Sequence, residues 1–67
     1  MIGSEDAWYD MVEEAEDLGL SIKHVMRRAG IRRSSMTHYL RGDYFPSPSS
    51  AAKIREKLRE IKELRGG

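Results

Sequence analysis

Apolar residues recur along this chain at steps of three and four, in separate runs punctuated by glycine and proline, and nowhere with the two-residue period of a strand. In the first run, Trp8, Met11, Val12, Ala15 and Leu18 share one face of a helix over Glu5 to Leu18, with acids covering the other side. Ser4 precedes it as N-cap, Glu5 and Asp6 suit the positive end of the helix dipole, and Gly19 supplies a left-handed exit. Ser21 then caps a short second helix, with Leu20 stapled onto Val25, that ends near Ala29. Gly30 permits a tight turn, and Ile31 is placed to staple onto Met36 in a third helix over Arg33 to Arg41, stopped by Gly42. A loop from Asp43 to Pro46 leads to Ser47 as cap and Pro48 at the first helical position, where a missing amide hydrogen does no harm. Ala51, Ile54, Leu58 and Ile61 carry the fourth helix to about Leu64. The expectation is an all-α, compact four-helix domain spanning residues 1–67, with residues 1–3 and 65–67 frayed.

Length and composition narrow the classes. A chain of 67 residues is a single domain, and at this size only about 60% of the unfolded surface is buried on folding. Without cysteine there is no disulfide framework and no thiolate metal site, so helical packing or oligomerisation must supply stability, and a reducing cytoplasm suits the chain. The start MIGSEDAW lacks a basic stretch followed by an apolar one, and no apolar run approaches the ~18 residues of a membrane span. Neither export nor membrane insertion is expected.

Charge changes the picture more than composition does. The net charge is only +1, but residues 1–20 hold seven acids and no base, while residues 21–42 hold six bases and no acid. Such polarity directs a polyanion to one face, and nucleic acid is the obvious polyanion. The acidic first helix is either the solvated back of the domain or a surface for a basic protein partner.

Two short helices joined by a glycine turn, the second rich in cations and hydroxyls, have the form of a helix-turn-helix. From Leu20 to about Leu58 the chain resembles the lambda-repressor/Cro-type family of DNA-binding domains: Val25, Ala29, Ile31, Met36 and Tyr39 fall on its core positions, Gly30 on its turn glycine, and Arg41-Gly42 with Pro46-Ser47 on its exit from the recognition helix. Three positions depart from the pattern. Met26 stands where the family carries a small residue, Ile22 where a polar residue often reaches phosphate, and Arg32 where Ser or Thr often caps the recognition helix.

With Met36, Tyr39 and Leu40 taken as inward, helical geometry turns Arg33, Ser34, Thr37, His38 and Arg41 outward. The resemblance then implies base contacts from Arg33, Ser34, Thr37 and His38, Arg33 being first for sequence readout because guanidinium pairs with guanine O6 and N7. Ser21, Lys23, Arg32, Arg41, Tyr44, Ser47 and Ser49 are the expected phosphate contacts. The apolar spacing of the fourth helix implies a two-fold dimer through Ile61 and Leu64, reading an inverted-repeat operator, unless Ile61 folds back on Trp8 and Met11 to complete a monomer core.

Other chemistry finds less support. His24 and His38 lie on different helices without ligand-spaced partners, so no metal is expected, and the serine pairs lack a base and an oxyanion arrangement, so no catalysis and no cofactor are expected. Trp8 and Tyr39 lie on apolar stripes and read as core, whereas Tyr44 in its loop reads either way. The ending Leu-Arg-Gly-Gly is similar to that of ubiquitin-like modifiers, but those are strand-rich and this chain is patterned for helices. The expected function is a cytoplasmic, nucleoid-associated repressor of the phage or mobile-element kind, with a protein-interaction adaptor such as an antitoxin or inhibitor as the rival.

Overall fold

The computed structural model describes residues 4–66 and consists of four helices, α1 (Ser4–Asp17), α2 (Ile22–Arg28), α3 (Arg33–Arg41) and α4 (Pro48–Leu64), with no strand among the described residues. The cap role expected of the Ser4 side chain and the fraying expected of residues 1–3 and Gly67 lie outside the described residues. Arg65 and Gly66 continue α4 in a turn, the Gly66 amide donating to the Glu63 carbonyl at 3.0 Å. None of the helices is long and apolar enough to cross a membrane.

The helix ends follow from local chemistry. Ser21 accepts from the His24 amide at 3.3 Å and Ser47 from the Ser50 amide at 3.4 Å, so each hydroxyl satisfies a donor that the first helical turn leaves open. The exits of the first three helices repeat one arrangement. After α2, Gly30 at φ +82° donates to the Arg27 carbonyl (3.2 Å) and Ile31 to the Met26 carbonyl (3.0 Å). After α3, Gly42 donates to Tyr39 (3.2 Å) and Asp43 to His38 (3.0 Å). These paired bonds close each helix over a left-handed residue that L side chains adopt with strain.

The core joins all four elements. Trp8, Met11, Ala15 and Leu18 from the first run pack with Ile22, Val25 and Met26 of α2, Met36 and Tyr39 of α3, and Ile54 and Leu58 of α4. Met26 is fully buried, so the bulky departure from the family pattern fills the middle of the core. Ile22 is buried as well, so it cannot reach a phosphate. Burying a residue of this kind contributes about 1.5 to 3 kcal/mol.

The backbone of α2 runs close to each of the other three helices, and α1 also runs against α4. In contrast, α3 approaches only α2. Toward α1 it reaches through side chains, the Tyr39 and Trp8 rings lying 6.0 Å apart between centroids. That one-sided docking corrects the inward position expected of Leu40, which is 46% exposed: Met36 and Tyr39 use the available cover, and no helix packs beyond them.

Candidate nucleic-acid interface

Part of the acid-free segment lines a concave surface between α2 and α3. Lys23 and Arg27, one helical turn apart on α2, face Arg33, Thr37, Leu40 and Arg41 of α3 across a hollow of about 300 Å³ with Met36 beneath it. Lys23, Arg27 and Arg33 form no ion pair among the described residues. Three α4 cations behave differently: Lys57 meets Glu60 at 3.0 Å, Arg59 meets Glu56 at 2.6 Å, and Lys62 meets Glu14 of α1 at 3.6 Å. A larger hollow of about 560 Å³ lies between α1 and α4, but its Arg59 and Lys62 are matched by its own Glu56 and Glu14. No acid lines the smaller hollow, and of its four cations only Arg41 has an acidic neighbour, Asp43 at 3.8 Å, so it is the better anion site.

The entry of α3 adds donors. Arg32 is its N-cap residue in extended conformation and makes no side-chain cap bond, so no side chain covers the first amides of the helix. Those amides and the dipole favour an anion. Arg32, Arg33 and Ser34 are all exposed there. One turn on, the Thr37 hydroxyl donates to the Arg33 carbonyl at 3.0 Å, which leaves Thr37 its lone pairs and its methyl group for any outside contact.

His38 is the most constrained of the four expected base readers. Its Nδ1 lies 2.8 Å from Asp43 Oδ2, and its ring stacks on Tyr44 with centroids 5.1 Å apart and planes at 24°. Tyr44, still 49% exposed, also sets its edge against the buried Tyr39. Asp43 is the first acid after the basic block, and the closed turn at Gly42 carries it back against that block, where Arg41 Nε lies 3.8 Å from the same carboxylate oxygen. The His38 hydrogen bond holds the Asp43 carboxyl below its ordinary range; slight desolvation opposes this, and the charges of Arg41 and His38 assist it.

Ser21, Ser47 and Ser49 lie exposed at the starts of α2 and α4. Ser21 and Ser47 accept from amides as caps, which leaves the Ser21 hydroxyl hydrogen to donate outward, whereas the Ser47 hydroxyl donates to Ser50 Oγ at 3.4 Å and lies 3.3 Å from Ser49 Oγ. The pair expected at a dimer interface is divided: Ile61 is partly buried against the core, in the manner of the monomer alternative, while Leu64 is 85% exposed.

Sequence reasoning missed three participants. Arg27 was signalled by its four-residue spacing from Lys23 in the acid-free block, whereas Leu40 and Asp43 gave no sequence signal, since their positions depend on the docking and exit of α3. No protein family, curated protein or solved structure matches the chain.

Proposed function

We propose that this chain binds duplex DNA as a helix-turn-helix of the lambda-repressor/Cro type and regulates transcription by occupying an operator. The observation that carries the reading is the hollow between α2 and α3, where Lys23, Arg27 and Arg33 have no ion-pair partner among the described residues and no acid lines the wall, whereas Glu14 and Glu56 line the larger hollow between α1 and α4. In this reading α3 enters the major groove, and Arg33, Ser34, Thr37 and His38 meet base edges. Lys23, Arg27, Arg32 and Arg41 hold phosphates, helped by Ser21, Tyr44, Ser47 and Ser49. An exposed helix docked along one side has the room to enter a groove about 12 Å wide.

The test is a fluorescence-anisotropy titration of labelled duplexes between about 50 and 200 mM salt. Phosphate contact releases counterions, so the logarithm of affinity should fall with the logarithm of salt at about 0.9 per neutralised phosphate. A flat response overturns the reading and favours a protein-interaction adaptor built on the same four helices.

A further inference from the structure

The ring of His38 is held by its own neighbours before any ligand arrives. Asp43 bonds its Nδ1 at 2.8 Å, Tyr44 covers one face, and the backbone bond from the Asp43 amide to the His38 carbonyl (3.0 Å) ties carboxylate and imidazole to one closed turn. A carboxylate only accepts, so the hydrogen sits on Nδ1. In the neutral ring Nε2 is then a bare acceptor. That nitrogen has no hydrogen-bond partner among the described residues, and none of their buried side-chain nitrogens or oxygens is unpartnered, so Nε2 is open to solvent.

We propose that His38 makes base choice depend on its protonation: neutral, it accepts at Nε2 from the exocyclic amino group of adenine or cytosine; protonated, it donates from Nε2 to the acceptor edge of guanine. This rests on the DNA reading of the surface. The change requires one proton, taken from solvent onto Nε2, and no covalent rearrangement. Major-groove chemistry makes the two states legible, because cytosine presents only its N4 donor and guanine only its O6 and N7 acceptors, whereas adenine, with N7 beside N6, serves either state. Arg33 stays charged and Ser34 and Thr37 do not titrate, so among the candidate base readers only His38 can switch. The charged and titratable groups around it are Asp43 on its Nδ1, Arg41, whose Nε lies 3.8 Å from the same carboxylate oxygen, and the stacked Tyr44. Asp43 remains ionised throughout because its carboxyl is held below the usual range, so Nδ1 stays the donor in both states.

Two measurements on the full chain test this. The first needs no DNA: imidazole nitrogen shifts at about pH 8 should show His38 protonated at Nδ1 and bare at Nε2, and Asp43→Ala should release that preference. A wild-type ring protonated mainly at Nε2 overturns the proposal. The second selects duplexes from a randomised pool at about pH 8 and about pH 5.5. At one position the ratio of guanine to cytosine should rise about tenfold from the higher pH to the lower, a ratio that a uniform gain in affinity leaves untouched. His38→Gln should bind with the same preference at both. Salt-dependent binding with a base preference indifferent to pH, or a shift that survives His38→Gln, overturns the inference alone. Failure to retain any duplex at low salt overturns the DNA reading and this inference with it.

Discussion

Arg33 and Arg27 line the same hollow from different helices, and the DNA reading gives them different work. Arg33→Ala should cost about 1 to 3 kcal/mol at a cognate duplex and relax preference at one base pair, whereas Lys23→Ala or Arg27→Ala should weaken all duplexes alike and lower the salt slope by about one. Anisotropy titrations on cognate and scrambled duplexes distinguish them, and an Arg33→Ala variant that lost affinity uniformly would make Arg33 a phosphate contact. Asp43 carries a pH signature of its own. Its folded-state pKa is depressed by His38 and Arg41, so its contribution to stability is fully present above the ordinary Asp pKa of about 3.9 and disappears as pH falls through the lowered value. The carboxylate is exposed, so the effect is small. Chemical unfolding of wild type and Asp43→Asn from pH 6 downward should show a gap that closes below about pH 4. A gap unchanged to about pH 2 would mean that the carboxylate charge contributes nothing.

At the scale of elements, the turn at Gly30 joins the two helices that form the hollow. A Cβ added there would meet nothing within 4 Å, so Gly30→Ala tests backbone strain alone. Thermal unfolding should report a loss of about 1 to 2 kcal/mol, and an unchanged midpoint would show that the left-handed residue is not required. The bounds of α3 and α4 were legible in the sequence because their signals are local: Gly42 ends one, and Ser47 with Pro48 starts the other. Leu40 was misjudged because positions 36, 39 and 40 share a helical arc, and how much of that arc is covered depends on which neighbours α3 has. The Asp43–His38 contact escaped notice because the turn normally brings together two apolar side chains, and here a carboxylate meets an imidazole. The cations themselves were readable from charge pattern, but their lack of partners was not, since Lys62 finds Glu14 only through the packing of α1 on α4.

For the whole molecule, the contrast between Ile61 and Leu64 offers a clean test of self-association. Ile61→Lys should lower the unfolding midpoint because it forces a charge against the core, whereas Leu64→Lys, at a position 85% exposed, should leave it unchanged. If two copies pair through this end of α4, sedimentation should show a dimer that Leu64→Lys dissociates while it stays folded, and the operator should carry half-sites about 34 Å apart. A wild type that remains monomeric free and on DNA removes the dimer. The one-sided docking of α3 has a consequence in time as well as in space. With backbone neighbours on α2 alone, α3 is the segment whose detachment sacrifices the fewest contacts, so its amides should exchange with solvent through local openings well below the cost of global unfolding. Hydrogen exchange should then find Met36 and Tyr39 faster than Ile54 and Leu58, although all four side chains are buried. A duplex closing over α3 would supply the missing second wall, and the slowing of those two amides would measure how long it stays.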